Sequence, residues 1–405
     1  MPGDGCRSSG TIDMAKVILM FQRFLPCVFA FVFACSCVAD EPNHGSAQIQ
    51  EIEPRWEDVE HGSVLSMALS PDGQVLASAG NLPGDASTFG DRILKAARGY
   101  VLTGGVQLRR TSDGQVTGQV NNLLTTVRHV VFSPDGKTLA IACGSWTEPG
   151  QVVLIESATG RILTRLSGHS GWVHKVCFSP DGNRILSWGS KSPRYDKVPG
   201  GEVWLWVAAT GEGRKIWSSD SHYGCSVAYS PDGRHFAAAG GDRGLVTLWD
   251  AKTVQPKFEL KGRGSRSAAP VFSPDGQTLV ARENGWGVIL PHRYDARLIF
   301  WDVSTGGAKQ TVNVTKWWPE RRTIIFGELA FSPDGKYLAV PMGSWNRGGK
   351  WAQLNLLNVE QPNDVETVFT AEQHHPAVSA GFCDGGHILI AAFGNGEFRR
   401  WRIER

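Results

Sequence analysis

Two short stretches of this sequence place a cation, a phenol and a carboxylate in a row. The tripeptide Arg-Tyr-Asp occurs at positions 194–196 and again at positions 293–295. Such a combination could perform acid–base or binding chemistry, and it could equally be polar scaffolding. The elements that carry each tripeptide must decide between these two roles.

The remaining sequence contains no familiar catalytic or metal-binding motif. HExxH, GxSxG, the P-loop and the spaced-carboxylate calcium loop are all missing, and no CxxC pair follows residue 40. His374 and His375 are adjacent, and neighbouring residues of a strand point to opposite faces, so they do not predict a shared metal site. The sequence therefore predicts no catalytic residue, no metal and no cofactor.

Composition narrows the class of protein further. The 41 basic residues nearly balance 39 acidic ones, and no basic block stands out, which argues against nucleic-acid binding. The 48 glycines indicate many tight turns and favour β structure. Four cysteines lie inside apolar strand patterns and are predicted to be buried thiols, with a disulfide as the alternative: Cys143, Cys177, Cys225 and Cys383.

The N-terminus has the pattern of an export signal. An apolar run at 24–38 follows Lys16 and Arg23, and it is shorter than the roughly 20 residues of a membrane-spanning helix. We therefore expect a signal peptide at 1–39, with Met14 as an alternative start, a linker at 40–46 and no transmembrane span. Acylation of Cys35 or Cys37 is a further alternative, although the residues before them fit a lipid-anchor consensus poorly.

A repeat dominates the rest of the chain. Ser-Pro-Asp-Gly occurs six times, and a worn seventh copy is Cys-Asp-Gly-Gly at 383–386. An alternating apolar strand precedes each copy, and two more strands follow it. This spacing of short strands and turns is typical of a radial propeller. The six copies begin at Ser70, Ser133, Ser179, Ser230, Ser273 and Ser332.

The units resemble the WD-repeat (WD40-type) β-propeller family over residues 47–405. The resemblance rests on the stretches FSPDG, LWDAKT, IFWDVSTG and SGHSGWVHKVCFSPDG. It implies an all-β, seven-bladed propeller of four-stranded blades, in which the N-terminal strand at 47–56 completes the last blade. That closure would leave no exposed strand edge.

The same resemblance implies a structural framework, with departures. Its buried His–Ser–Asp–Trp network is nowhere complete by sequence, since Arg109, Ile155 and Leu357 replace the tryptophan in three blades. Gly200 occupies the acid's place before Trp206, whereas Asp295 fits that place. The positions assigned to the framework are His61, His169, His374, Ser78, Ser187, Asp295, Asn395, Trp206, Trp249, Trp301 and Trp401.

Five repeats carry an insertion between their second and third strands. All such connections leave a propeller on one face, which we call the loop face, and loops on a rigid scaffold commonly carry function. Trp, Tyr and Arg dominate binding hot spots. The predicted partner contacts are Trp146, Trp188, Arg194, Tyr195, Arg243, Trp286, His292, Arg293, Tyr294, Trp345, Arg347 and Trp351.

These patterns favour an exported, periplasmic or secreted, non-catalytic scaffold that binds a protein or peptide through the loop face. The alternative is a quinoprotein-like propeller enzyme or small-ligand receptor that uses the same face and the central channel. The two tripeptides also separate: Asp295 belongs to the framework, whereas Arg194, Tyr195 and the pair at 293–294 are contact candidates.

Overall fold

A computed structural model describes residues 48–57, 63–81, 104–121, 123, 126–144, 148–192, 200–220, 226–240, 245–262, 269–284, 296–317, 325–346, 349–372 and 374–404. The predicted signal peptide and linker lie outside these residues. No helix in the described ranges is long and apolar enough to cross a membrane.

Seven antiparallel sheets are formed from the repeats, and each sheet is one blade. Strands one to four of a blade run from the centre of the ring to its rim, and alternate side chains fill the space between neighbouring blades. The strands of blades one to three are β2 (Ser63–Leu69), β3 (Val75–Asn81), β4 (Gly104–Arg110), β5 (Val116–Val120), β6 (Thr126–Phe132), β7 (Thr138–Gly144), β8 (Gln151–Glu156), β9 (Ile162–Ser167), β10 (Val173–Phe178), β11 (Arg184–Ser190), β12 (Gly201–Val207) and β13 (Gly213–Ser219).

Blades four to seven follow the same order, and blade six has its first strand split in two. Short 3₁₀ helices lie at Val314–Trp317 and Asp384–Gly386. The strands are β14 (Ser226–Tyr229), β15 (His235–Ala239), β16 (Val246–Asp250), β17 (Gln255–Leu260), β18 (Val271–Phe272), β19 (Thr278–Asn284), β20 (Ala296–Asp302), β21 (Ala308–Asn313), β22 (Ile325–Phe326), β23 (Ala330–Phe331), β24 (Tyr337–Asn346), β25 (Gly349–Asn358), β26 (Val365–Glu372), β27 (Ala377–Cys383), β28 (Ile388–Phe393) and β29 (Glu397–Glu404).

The first described strand closes the ring. β1 (Gln48–Glu57) pairs antiparallel with β29, with Ile49 opposite Ile403 and Glu51 opposite Trp401. The innermost strands contact each other in sequence around the axis, from β2 through β6, β10, β14, β18, β23 and β27 back to β2. The predicted seven-bladed propeller with an N-terminal closing strand is therefore confirmed.

The Ser-Pro-Asp-Gly turns hold each first strand to its second strand. In blade two the Gly136 amide donates to the Ser133 carbonyl at 2.9 Å, and the Ser133 hydroxyl donates to Asp135 Oδ1 at 2.6 Å. The Thr138 amide returns to Ser133 Oγ at 2.9 Å. Gly136 has φ of +70°, a conformation that disfavours any side chain. The turn is thus a self-contained hydrogen-bonded unit, and its repetition fixes one whole face of the ring, which we call the turn face.

The loop face lies at the opposite ends of the same strands, because antiparallel neighbours connect at alternate ends. In blade six the hairpin of β24 and β25 is longer than in the other blades, with ten residues in each strand. Its register continues to the pair Asn346–Gly349. This hairpin carries residue 345 beyond the seven-residue length of second strands such as β7.

Candidate functional site

A polar girdle surrounds the axial channel. One residue of each blade, four positions before the first residue of the turn, lies in the innermost strand or in the segment directly before it. Five of these residues line a cavity of about 400 Å³ at the centre of the ring: His129, Lys175, Ser226, Ala269 and Glu328. The complete girdle is Ser66, His129, Lys175, Ser226, Ala269, Glu328 and Ser379.

An ion pair crosses this channel. Lys175 Nζ of blade three lies 2.7 Å from Glu328 Oε1 of blade six. His129 Nε2 of blade two lies 3.2 Å from the same carboxylate oxygen, and the Ser379 hydroxyl donates to Glu328 Oε2 at 3.5 Å. Glu328 reaches the axis because it sits in the interruption between β22 and β23, where its amide donates to the Val378 carbonyl at 2.9 Å. One carboxylate therefore links four blades.

The electrostatics of the girdle follow from these contacts. Burial opposes the charge on Glu328, but Lys175 and His129 more than offset that cost, so the pKa of Glu328 is lowered well below its usual range. Burial lowers the pKa of His129, and the neighbouring Lys175 lowers it further. At neutral pH the girdle therefore contains one cation, one anion and a neutral imidazole.

An apolar collar lies beside the girdle on the side of the turn face. Its members lie two positions after the girdle residue of the same blade. It includes Val131, Cys177, Ala228 and Val271 among the cavity-lining residues. Burial raises the pKa of the Cys177 thiol to about 12, so this thiol is protonated at neutral pH and is a poor nucleophile. Among the described residues, no group of three or more His, Cys, Asp or Glu side chains could hold a metal ion.

A buried hydrogen-bond network supports blade three. Trp206 Nε1 donates to Ser187 Oγ at 2.8 Å, and Ser187 Oγ lies 2.6 Å from His169 Nε2. His169 Nδ1 in turn lies 3.3 Å from Glu202 Oε1, and both side chains are almost completely buried. The Ser170 amide donates to the same Glu202 oxygen at 2.6 Å. The chain of contacts joins the strands β11 and β12 and the loop that enters the blade.

Comparison with known proteins agrees with this geometry. The family model "WD domain, G-beta repeat" matches residues 54–86, 160–192 and 213–250. The second match includes His169 and Ser187, and the third ends at the Trp249-Asp250 pair. The chain belongs to the WD40-repeat family.

Relatives of this WD40 propeller include proteins of several kinds. WD repeat-containing protein slp1 of Schizosaccharomyces pombe is 26% identical over 287 residues, which are 69% of this chain and 50% of the relative. Small ribosomal subunit protein RACK1y of Oryza sativa subsp. japonica is 28% identical over 163 residues, 38% of this chain and 43% of the relative. Apoptotic protease-activating factor 1 of Rattus norvegicus is 25% identical over 223 residues, 54% and 16% respectively. The chain thus spans about half or less of the length of these relatives.

Two of the predicted partner contacts are core residues of the WD40 propeller. Trp188 lies in β11 and is 2% exposed, and Trp351 lies in β25 and is 0% exposed. The indole of Trp188 packs over Gly201, where a β-carbon would come within 2.1 Å of it. The prediction that both tryptophans lie in insertions is wrong: each belongs to a strand, and its buried ring is inaccessible to a partner.

The side chains of the other predicted contacts lie outside the described part of the structure. Trp345 lies on the long hairpin of blade six, and only its backbone is described. The remaining candidates lie outside the described residues: Trp146, Arg194, Tyr195, Arg243, Trp286, His292, Arg293, Tyr294 and Arg347.

Most framework positions lie in the interior of the WD40 blades. The four third-strand tryptophans are between 2% and 6% exposed. Ser78 is buried, and its hydroxyl donates to the Gln107 carbonyl at 3.5 Å. Asn395 is exposed in the turn before β29, while His61 and Asp295 lie outside the described residues. The four tryptophans are Trp206, Trp249, Trp301 and Trp401.

The expected His–Ser–Asp–Trp network is not formed with an aspartate in blade three, but a glutamate completes an equivalent network there. Glu202 supplies the acid, four residues before Trp206, in place of an aspartate six residues before it. Blade seven uses the same displacement, because Glu397 lies four residues before Trp401 and accepts from His374 Nε2 at 2.8 Å. The longer glutamate side chain and the strand position compensate for each other, which a search for aspartate at a fixed spacing misses.

The predicted site residues also do not include the girdle. The girdle can be found by comparing one position across the seven repeats. The residues four places before the turns are Ser, His, Lys, Ser, Ala, Glu and Ser along the chain. A run of polar residues at one inner-strand position of an otherwise apolar repeat would have identified a polar channel.

Proposed function

We propose that this WD40 propeller is an exported, non-catalytic scaffold that binds a protein or peptide through its loop face. WD40 propellers typically act as protein-binding scaffolds, and one relative is named as a ribosomal subunit protein, a component of a larger assembly. The observation that carries the proposal is the extension of blade six. Its β24–β25 hairpin prolongs the loop face on a rigid, ring-closed support.

The residue types on this face suit binding. The insertions contain Trp286, Trp345 and Arg347, which can cover large contact areas and retain a polar group. The same face lacks the spacing of any catalytic motif. A rigid ring that presents aromatic and guanidinium side chains is suited to grip an extended peptide or a protein surface.

Partner capture with purified protein tests this assignment. We expect the double variant Trp286→Ala/Trp345→Ala to lose capture of its protein partner with an unchanged melting temperature. A matched control is Ile162→Ser/Leu163→Ser, which alters two exposed apolar residues of the rim strand β9. Equal capture by the loop-face variant and the wild type would contradict the proposal.

Export is tested separately. The apolar run at 24–38 supports cleavage after Ala39, so the mature protein should begin at Asp40. Mass spectrometry of the protein from fractionated cells measures this directly. An intact N-terminus at Met1 or Met14 in the cytoplasmic fraction would refute export, while an acylated Cys35 or Cys37 would identify a lipid anchor instead.

A further inference from the structure

One turn between a third and a fourth strand differs from its equivalents on the turn face. Five blades close this turn with the same hydrogen bond, from the amide of a left-handed residue to the carbonyl four positions before it. Val254, with φ of +55°, is that residue in blade four. A β-branched side chain destabilises this conformation, so the valine is held in a strained backbone. The other four blades use Gly114, Gly160, Gly211 and Gly306.

The valine fits because the junction between blades three and four is open. In blade four, Phe258 lies opposite the residue before the third-strand tryptophan and fills the junction with blade five, where a β-carbon at Gly306 would come within 2.7 Å of its ring. The corresponding position of blade three holds Arg214. A cavity of about 320 Å³ lies at the junction with blade four, and Val254 lines it.

Accessible cations line this cavity. Arg184, Arg214 and Lys252 all belong to its lining, and all three are exposed to solvent. None of them forms an ion pair within the described part of the chain. Glu212 is the one acidic residue among the described lining residues, against three cations. The cavity therefore presents uncompensated positive charge that a ligand can reach from solvent.

The cations are also positioned by their surroundings. Arg184 Nη1 donates to the Ala251 carbonyl of blade four at 3.1 Å, which holds the guanidinium across the junction. The Asp250 carboxylate accepts from the amides of Lys252 and Thr253 at 3.1 and 2.7 Å, so its own turn engages this acid. A guanidinium held in this way can bind a carboxylate through two parallel hydrogen bonds.

Apolar surface beside the cations narrows the class of ligand. Val207 lines the cavity and is 43% exposed, and Val254 is half-buried next to it. An extended peptide can place carboxylates on the cations and an apolar side chain on the valines at the same time. A nucleic acid would require a longer run of cations, and the sequence has no basic block. The cavity therefore favours an acidic peptide.

We propose that the junction between blades three and four binds an acidic peptide segment of a protein partner. Carboxylates of the segment pair with Arg184, Arg214 and Lys252, and an apolar side chain packs on Val207 and Val254. This surface is separate from the loop face, and its occupancy does not depend on the function proposed for that face.

Differential selection from a displayed library of random nonapeptides tests the proposal. The library is selected in parallel on the wild-type protein and on Arg184→Ala/Arg214→Ala. Peptides that only the wild type retains should be enriched in aspartate and glutamate beside an apolar residue. The variant Trp286→Ala/Trp345→Ala should retain these same peptides, which separates this surface from the loop face. Identical selections on wild type and the arginine variant, or lost peptides without an excess of acidic residues, would overturn the proposal.

Fluorescence anisotropy with one selected acidic peptide locates the contacts. Arg184→Ala and Arg214→Ala should each weaken binding about five- to twentyfold, because each removes a charged hydrogen-bond donor. Arg110→Ala removes the same charge from blade one and should bind as the wild type does. Melting curves verify folding, and Lys252→Ala replaces any variant that unfolds. Undiminished binding by the folded variants would overturn the proposal, as would tighter, Arg184-dependent binding of a single-stranded DNA of about 20 nucleotides.

Val254→Gly separates the role of the valine in binding from its role in stability. Glycine relieves the backbone strain, and this gain offsets the lost packing, so the melting temperature should change little. Loss of the side chain should weaken the acidic peptide about two- to fivefold, because an apolar contact is removed. Wild-type affinity in Val254→Gly would overturn the apolar contact assigned to this residue.

Discussion

Lys175 Nζ and Glu328 Oε1 lie 2.7 Å apart although 153 residues separate them in sequence. The pair joins blades three and six across the axis of the ring. Both side chains keep partial access to solvent, at 20% and 28% exposure, so the pair is neither a surface salt bridge nor a fully desolvated one. Its contribution to stability should be intermediate between those two cases.

Removal of the cation tests that expectation. Lys175→Met leaves the carboxylate of Glu328 in the channel without its nearest positive charge, and should lower the free energy of unfolding by about 1–3 kcal/mol. Urea denaturation measures the change. Lys191→Met is the matched control, since Lys191 is 21% exposed but pairs with Asp220, which is 96% exposed. An equal decrease in the free energy of unfolding of both variants would show that the axial ion pair stabilises the fold no more than a surface ion pair does.

The pH dependence of Glu328→Gln gives an independent test. The folded-state pKa of Glu328 is lowered, so its ionised form stabilises the native state above the unfolded-state pKa of about 4.3. That stabilisation is lost as the pH falls through this value toward the lower folded-state pKa. The stability difference between wild type and Glu328→Gln should therefore be constant from pH 6 to 8 and shrink below about pH 4.5. A difference that does not vary with pH would contradict the assignment.

Buried histidine should make the protein acid-sensitive in a higher pH window. Burial lowers the pKa of His174 well below its ordinary value, and its ring packs between Trp172 and Trp188. Below the unfolded-state pKa of about 6.5 the unfolded chain binds a proton that the folded chain excludes. The free energy of unfolding therefore decreases as the pH is lowered. His174→Phe should reduce this slope by up to about 1.4 kcal/mol per pH unit. Denaturant unfolding between pH 5 and 8 measures it, and an unchanged slope would exclude His174 as its source.

The network of blade three should stabilise the fold. Ser187→Ala removes the hydroxyl that accepts from Trp206 Nε1 and contacts His169 Nε2, and should cost about 1–3 kcal/mol. Ser218→Ala, on the exposed rim strand of the same blade, should stay within about 0.5 kcal/mol of wild type. Thermal and urea unfolding of both variants measure these changes. If Ser187→Ala leaves the free energy of unfolding unchanged, the network forms but does not stabilise the fold.

The architecture could be predicted from sequence because each blade repeats a local signal. A turn such as that at Ser133 is defined by four consecutive residues, and its hydrogen bonds lie within six residues of each other. The ring closure could be predicted as well. One strand, at 47–56, precedes the first repeat, and the last repeat has only three strands, so the first strand can complete the last blade. Local patterns, repeated seven times, leave few alternatives for the fold.

The site was less accessible because its contacts are not local. Lys175 and Glu328 meet only after four blades are placed around an axis, and no spacing rule connects them. Trp188 and Trp351 were misplaced because a strand end and a loop start look alike in a sequence of Trp, Ser and Gly. Glu202 was missed because its longer side chain reaches the same histidine from a different strand position.

The central claim is that the loop face is the binding surface, and site-specific photo-crosslinking tests it most directly. A photoreactive p-benzoyl-phenylalanine replaces either Trp345 on the loop face or Asn183, which is exposed on the turn face. Each protein is irradiated with its captured partner, and the adducts are identified by mass spectrometry. The account predicts a partner adduct from position 345 and none from position 183. Adducts from position 183 alone would contradict it.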